Sequence, residues 1–271
     1  MHFQLPYGLH EGALKHISEV ERGLKCNCIC PACEQPLIAR KGDKKMHHFA
    51  HYNSSECEKA VETALHIAVK NLLEKYKKIV LPDVILKFSS YKDPWVIAEE
   101  RLFEFEEVII ENRFDSIVPD VLVYINGRPL IIEVAVTHQI DDFKLAKIRK
   151  FDISTIEITL DRFKNLPVET ELIEDVIYKT NTKHWAYNSF VEKVRSKFKL
   201  FTERKSIIQR GFAYHVDYCP IKARIWRGKP YANVMDDCIH CSYCLHYEYN
   251  HILCSGKTKI DSFQQFKDYI S

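Results

Sequence analysis

The chain has 271 residues, 39 Lys and Arg against 37 Asp and Glu, a formal net charge of +2 and 46% hydrophobic residues. This length and composition suit two domains, or one core with small appended modules. No apolar run approaches the roughly 20 residues of a membrane-spanning helix, and the first residues lack a basic segment followed by an apolar one. We therefore expect a cytoplasmic protein with no membrane partner.

Residues 1–57 are predicted to form short strands around a Cys/His cluster, and we assign them to an N-terminal zinc module. Cysteines in a cytosolic chain stay reduced, and the ten here fall into two closely spaced clusters, which favours metal ligation. Cys30-Pro-Ala-Cys33, followed by His48-x-x-His51, has the spacing of a structural zinc site. Other ligand sets remain open, because further Cys and His lie nearby: Cys26, Cys28, His47 and Cys57.

Residues 58–180 are predicted to form an α/β core. Hydrophobic periodicity and turn residues place three helices and five strands in this region. In chain order they are a helix over 57–76, strands over 84–88, 103–110, 118–124 and 130–136, a helix over 141–150, a strand over 154–158 and a helix over 169–179.

Two carboxylates interrupt the apolar strands of this core. Asn126-Gly127 stands between the two apolar runs and predicts a hairpin, which places Asp120 and Glu133 on neighbouring antiparallel strands. A carboxylate in a buried strand needs a cation, since desolvation of its charge is otherwise costly. The pair therefore indicates a divalent-metal site, to which the carbonyl group of Val134 could add a ligand.

The preceding helix carries a polar stripe. Glu62, His66 and Lys70 are four residues apart and share one face. Together with Asp120 and Glu133, Glu62 makes a carboxylate set that could hold Mg²⁺ or Mn²⁺. Such a site suits phosphodiester hydrolysis, because the metal activates water and stabilises the leaving oxygen.

Residues 181–271 combine a basic stretch with the second cysteine cluster. Between residues 183 and 229, twelve Lys or Arg face three acids, with aromatic residues interleaved. Basic side chains attract phosphates and aromatic rings stack on bases, so this stretch is predicted to bind nucleic acid. A solvated amphipathic helix would show the same pattern.

The second cluster predicts a four-cysteine zinc module near the C-terminus. Two overlapping Cys-x-x-Cys pairs compete there, Cys238 with Cys241 and Cys241 with Cys244. The spacing favours Cys219, Cys238, Cys241 and Cys254 as ligands, with Cys244 left over. We thus expect about two structural zinc ions per chain.

These motifs resemble those of the competence protein CoiA family over residues 20–160. The resemblance rests on the Cys30-Pro-Ala-Cys33 turn with its histidines, the Glu62 helix, Pro119-Asp120 and Ile-Ile-Glu133-Val. It implies a restriction-endonuclease-like PD-(D/E)xK core, cleavage of DNA with a divalent metal, and a setting in DNA uptake, mobile elements or antiviral defence. Glu62, Asp120 and Glu133 then match the acids of the motif.

One position departs from the motif. Its lysine should stand two residues after Glu133, where this chain has Ala135. Thr137 shares that strand face but carries no charge. Either a lysine of the next helix replaces it, Lys144 in preference to Lys147, or catalysis is lost. His138 could assist the reaction, and Glu157 could support the site from the next strand.

Two functions therefore stay open. The first is a metal-dependent deoxyribonuclease that uses Glu62, Asp120, Glu133 and Lys144. The second is a catalytically inactive zinc protein that binds nucleic acid as an adaptor. A protein partner or a homo-oligomer is compatible with both.

Overall fold

The computed structural model describes residues 5–53, 57–111, 113–136, 138–160 and 169–271. They form two compact units. Unit 1 comprises Met1–Pro82 and Glu100–Tyr187, and unit 2 comprises Asp83–Glu99 and Asn188–Ser271. The architecture is mixed α/β, with several separate sheets.

Unit 1 begins with an antiparallel sheet that contains the first cysteine cluster. Alternation of buried and exposed residues along its third strand turns Cys26 and Cys28 inward, towards Leu37 and Phe49. The spatial order of its strands is β2-β1-β3-β4-β5. Their bounds are β1 Tyr7–His10, β2 Ala13–His16, β3 Gly23–Ile29, β4 Pro36–Arg40 and β5 His48–His51.

Helix α1, Ala60–Tyr76, packs its apolar face into the same hydrophobic cluster as this sheet. Its buried residues recur every three or four positions, the spacing of a single helical face. The helix ends where Lys77 adopts a left-handed conformation and its N–H group bonds to the carbonyl of Leu73. The predicted helix over 57–76 is thus confirmed, three residues shorter at its start.

A five-stranded central sheet forms the rest of the unit 1 core, in the order β10-β11-β12-β13-β14. The predicted Asn126-Gly127 hairpin is confirmed: both residues have positive φ, and β11 and β12 pair antiparallel across them. β12 then pairs parallel with β13 through helix α2, Asp142–Phe151. The strand bounds are β10 Glu107–Ile110, β11 Val121–Ile125, β12 Arg128–Ala135, β13 Thr155–Thr159 and β14 Lys183–Tyr187.

The two faces of this sheet pack against different helices. Ile132 and Val134 belong to the cluster that contains α1, whereas Ile131 packs with Ile148 of α2. Side chains alternate along a strand, so Glu133 shares its face with Ile131 and points towards α2.

The predicted strand over 103–110 divides into two. β9, Arg101–Glu104, pairs with β6, Lys78–Leu81, whereas β10 joins the central sheet. The break occurs at Phe105, whose N–H group bonds to the carbonyl of Lys77 instead of to a strand partner. Helix α3, Glu169–Ile173, continues as a π-helical turn over Glu174–Tyr178.

Unit 2 combines a hairpin, two sheets and two helices. Its aromatic core joins Trp95 to Phe198 and Phe266, with ring centroids 6.1 Å apart in both cases. The sheets have the orders β15-β21-β20 and β16-β17-β19-β18. The element bounds are β7 Val84–Leu86, β8 Trp95–Ala98, α4 Ser189–Phe201, β15 Glu203–Ser206, β16 Ile208–Arg210, β17 Ala213–Asp217, β18 Arg224–Trp226, β19 Lys229–Asn233, β20 Cys244–Glu248, β21 His251–Cys254 and α5 Phe263–Ile270.

Across the described ranges, the helices are all too short or too polar to span a lipid bilayer.

Candidate active site and metal centres

The first candidate metal centre lies where the N-terminal sheet meets the start of α1. The sulfur atoms of Cys30, Cys33 and Cys57 lie within 4.8 Å of one another. The Nε2 atom of His51 lies 3.2 Å from the Cys33 sulfur. The Cys30–Cys33 turn is closed by a 2.9 Å bond from the Glu34 N–H group to the Cys30 carbonyl. Three thiols and one imidazole are a donor set that zinc uses in structural sites.

This cluster contains three of the four predicted N-terminal ligands and replaces the fourth. Residues 48–51 form strand β5, on which positions three apart point to opposite faces, so His48 and His51 diverge. His48 Nδ1 instead lies 2.8 Å from the carbonyl oxygen of Met46. Cys57, which the sequence offered only as an alternate, reaches the cluster from the residues just before α1.

Thiol chemistry differs within the cluster. The pKa of Cys30 is raised to about 11, because burial disfavours its thiolate. The pKa of Cys33 lies below its usual value: burial opposes this shift, but hydrogen bonds from the Gln35 N–H group and from the neighbouring thiols outweigh it. Cys33 is therefore the thiol most readily ionised for a metal.

The second cysteine cluster surrounds a small apolar cavity of about 50 Å³ in unit 2. Its walls carry all four predicted ligands together with Cys244: Cys219, Cys238, Cys241, Cys244 and Cys254. Cys244 faces Cys254 across the β20–β21 pair. Within the described ranges, the Cys30–Cys33–Cys57 cluster is the group of three ligands that meets the 4.8 Å distance. Zinc at the second cluster therefore stays a prediction.

Asp120 lies at the start of β11, where groups from α1 surround it. The Nζ atom of Lys70 lies 3.4 Å from Asp120 Oδ1, and Nδ1 of His66 lies 3.5 Å from the same oxygen. The N–H group of Val134 donates a 2.9 Å hydrogen bond to Asp120 Oδ2. Lys70 also contacts Glu111 at 2.5 Å, an acid that belongs to none of the sequence motifs. Two members of the predicted helix stripe thus meet Asp120.

Glu133 is buried near the end of β12. Its Oε2 atom lies 2.6 Å from the Nζ atom of Lys144, in the first turn of α2. Asp141 caps that turn by accepting a 2.8 Å bond from the Lys144 N–H group. Among the described residues, the other carboxylate oxygen, Oε1, is buried and has no hydrogen-bond partner.

The pKa values of Asp120 and Glu133 are shifted in opposite directions. Burial alone would raise the pKa of Asp120, but the His66 ring, the Val134 N–H group and the Lys70 charge lower it to about 2. Burial raises the pKa of Glu133 to about 7 against the opposing charge of Lys144, and the Asp120 charge adds to the rise. At neutral pH, Asp120 is ionised and Glu133 titrates.

The other predicted residues stand on different segments of unit 1. Glu62 is half-buried on α1, one turn before His66. Glu157 is paired in register with Glu133 on β13, and its carboxylate accepts a 2.7 Å bond from the Ile140 N–H group. His138 is exposed, and Thr137 lies outside the described residues.

Donor chemistry at the pair fits a divalent cation. Mg²⁺ and Mn²⁺ take carboxylate oxygens, and the unpaired Glu133 Oε1 offers one beside the ionised Asp120. A bound cation would satisfy that oxygen and cancel the repulsion between the two acids.

Residues 13–60 match the family model for the N-terminal domain of the competence protein CoiA. The matched stretch contains all four residues of the first candidate metal centre. The match therefore supports the resemblance to the CoiA family over this part of the chain. No curated protein matches the chain, and no solved structure does.

We expect chain purified without chelator to carry zinc at the first cluster. Cys57→Ser or His51→Ala should lose about one zinc ion per chain, because each removes a ligand atom. His48→Ala is the matched control and should keep the metal. Elemental analysis of the three variants and the unmutated chain measures this. If His48→Ala lost zinc while Cys57→Ser kept it, the ligands would be Cys30, Cys33, His48 and His51, as the sequence predicted.

Asp120 and Glu133 should affect the pH dependence of the free energy of unfolding in opposite directions when no divalent metal is bound. The pKa of Glu133 is raised from 4.5 to about 7, so its contribution to stability is complete below pH 4.5 and is lost as the pH rises through 7. The free energy of unfolding should therefore fall by about 3 kcal/mol between pH 4.5 and pH 8 in the unmutated chain, and this fall should be absent in Glu133→Gln.

Asp120→Asn is the counterpart. The pKa of Asp120 is lowered from 3.8 to about 2, so its stabilisation is present above pH 3.8 and lost as the pH falls through 2. This variant should lose about 2 kcal/mol at pH 8. Chemical denaturation of both variants in Mg²⁺-free buffer measures the difference. Equal destabilisation by both would contradict the assignment of Glu133 as the strained acid.

Proposed function

We propose that unit 1 is a divalent-metal-dependent nuclease that hydrolyses phosphodiester bonds, with DNA as its substrate. The observation that carries this proposal is the 2.6 Å contact between Lys144 and Glu133. It supplies a lysine amine at the second acid of the motif, although the motif position itself holds Ala135. A cation from the next helix thus lies beside Glu133, which supports the replacement of the motif lysine by Lys144.

The connectivity around the site supports a restriction-endonuclease-like PD-(D/E)xK core. A helix precedes the sheet, an antiparallel hairpin carries the two acids, and a helical crossover leads to a parallel strand. Asp120 lies at the start of the first hairpin strand and Glu133 near the end of the second. The two ends lie side by side because the strands run antiparallel.

Asp120 and Glu133 would hold the cation, with the carbonyl group of Val134 as a further donor. Bound Mg²⁺ or Mn²⁺ would lower the pKa of a water molecule and stabilise negative charge on the phosphate. His66 and Lys70 keep Asp120 ionised, so this ligand is ready at neutral pH. Glu62, on the same helical face, could orient the site from α1.

Lys144 has a different role. Its amine donates to Glu133, and its backbone N–H group donates to Asp141 at the start of α2, which fixes the residue beside Glu133. From there it can orient the attacking water or contact the scissile phosphate. It also favours the ionised form of Glu133, the form that a cation requires.

A competence-related setting follows from the match at residues 13–60. The zinc module would then act as a structural part of unit 1, since its sheet shares a hydrophobic cluster with α1.

The alternative is a catalytically inactive adaptor that binds nucleic acid. Ala135 at the motif lysine favours it, as does the exposed basic face of α4. Lys193, Lys197 and Lys199 are exposed on that helix, whereas Val194 and Phe198 are buried. The helix thus presents these three charges to solvent while Val194 and Phe198 face the core.

Cleavage should require Asp120, Glu133 and Lys144. It should not require Lys147, which lies on the same helix. Asp120→Asn or Glu133→Gln should abolish cleavage and Mn²⁺ binding together. Lys144→Ala should lower the rate by roughly 10²-fold or more and keep the metal, as expected for a group that acts in proton transfer or positioning. Plasmid, single-stranded DNA and RNA cleavage in Mg²⁺ and Mn²⁺, with calorimetry of Mn²⁺ binding, measures these effects.

Lys147→Ala is the matched control on the same helix. Its amine lies 3.2 Å from the Ser116 carbonyl, away from Glu133, so this variant should cleave normally. Full activity of both lysine variants would show that the site works without a lysine. If the unmutated chain cuts no substrate with any metal and binds no Mn²⁺, the adaptor is the correct function.

The exposed lysines of α4 should contribute to nucleic-acid binding. Replacing Lys193, Lys197 and Lys199 by Gln should weaken binding to all sequences and reduce the salt dependence by about 0.9 log units per lost phosphate contact. Fluorescence anisotropy at salt concentrations of about 50 to 200 mM, where affinity changes most with phosphate contacts, measures the slope of log affinity against log salt. An unchanged slope would mean that this face is only solvated.

A further inference from the structure

The four-stranded sheet of unit 2 carries a pocket of about 350 Å³ that neither candidate centre uses. All its lining residues lie between positions 210 and 231. Asp217 pairs with Tyr231 between β17 and β19, and Trp226 pairs with Lys229 between β18 and β19. Side chains alternate along each strand, so these residues and His215 lie on one face of the sheet.

Aromatic rings dominate the walls of this pocket. Trp226 is 61% exposed and Tyr218 is 66% exposed, although both could cover apolar surface in a core. The guanidinium group of Arg227 lies 4.6 Å from the centre of the Trp226 ring. Tyr231 lies against His215, with ring centroids 5.5 Å apart. Exposed rings beside cations are the arrangement on which unpaired bases stack.

The charges of the pocket favour an anionic ligand. Arg210 binds both oxygens of Asp217, at 2.8 and 2.7 Å, and so neutralises this acid. The charge of Lys229 also acts on Asp217, so this acid faces two cations of the pocket. In the described part of the chain, the Nδ1 atom of His215 is buried without a hydrogen-bond partner. Two cations, one acid and the His215 ring therefore line the cavity, and its formal charge is positive.

From these contacts we propose that the pocket binds an unpaired base of single-stranded nucleic acid. The base stacks on Trp226, its edge or sugar meets His215, and the adjoining phosphate meets Lys229. This proposal rests on the proposed function, in that the chain acts on nucleic acid, and it names the form of the substrate. A duplex keeps its bases stacked inside the helix and offers no ring face to the pocket.

The volume of the pocket suits a nucleotide, and its charges disfavour a cationic ligand. A cavity of about 350 Å³ lies within the range of small-molecule sites, which is sufficient for one nucleotide. Aromatic pockets can also bind quaternary ammonium groups, as in methylated lysine. Here Asp217 is already neutralised by Arg210, and Lys229 would repel a cationic guest.

The fluorescence of Trp226 can report on ligand binding in the pocket. The other two tryptophans differ from it: Trp95 is 4% exposed, and the ring N–H group of Trp185 donates to the Pro82 carbonyl. Titration of the full chain with an oligothymidylate in Mg²⁺-free buffer should quench the tryptophan fluorescence. Trp226→Phe should abolish the quenching, because the reporter is lost while a ring remains for stacking.

Affinity is measured separately, by anisotropy of the labelled oligothymidylate. Trp226→Ala should weaken binding by about 5- to 150-fold, the range for loss of one stacked base. Lys229→Gln should reduce the salt slope by about 0.7 log units, the value for one phosphate contact on a single strand. Tyr249→Ala is the matched control, since Tyr249 is 90% exposed in unit 2 outside the pocket, and it should bind normally.

Three results would overturn the proposal: unchanged affinity and salt slope in both pocket variants, equal quenching by a duplex, or binding of a trimethyl-lysine peptide in place of the oligonucleotide. The metal-free assay separates this proposal from nuclease activity. A chain that cleaves DNA while Trp226→Ala binds normally refutes the pocket alone. A chain that cuts nothing but shows the Trp226-dependent quenching refutes the nuclease alone.

Discussion

The buried ion pair between Glu133 and Lys144 is the interaction around which unit 1 is arranged. β12 pairs with a strand on each side, so its inward residues are removed from water, and a carboxylate there is costly without a cation. The parallel β12–β13 connection requires a crossover, and α2 covers the face to which Glu133 points. The same helix therefore closes the core and delivers the amine.

Asp120 and Glu133 show how one sheet holds two acids in different states. Asp120 receives charge and hydrogen bonds from α1 and from the hairpin backbone, which favour its ionised form. Glu133 is buried, and one of its oxygens has no hydrogen-bond partner in the described part of the chain; both favour its neutral form. A chain selected for stability alone would place an amide or an apolar residue there, so the cost at Glu133 points to function.

Local signals in the sequence predicted much of this site. The Asn126-Gly127 turn fixed the hairpin register, and four-residue spacing placed His66 on the helix face that meets Asp120. Features that depend on contacts between distant segments could not be predicted from these local patterns. The strand conformation of β5, which separates His48 from His51, depends on pairing with β4, and the pocket around Trp226 requires three strands to align.

Cys57, a residue of the first candidate metal centre, lies three residues before α1. The N-terminal sheet and α1 bury their apolar residues in one cluster. The sheet therefore depends on the next helix to complete its core. Recombination that moved residues 5–53 alone would leave α1 without its cover, so the sheet, the helix and the acids of the central hairpin are expected to be inherited together.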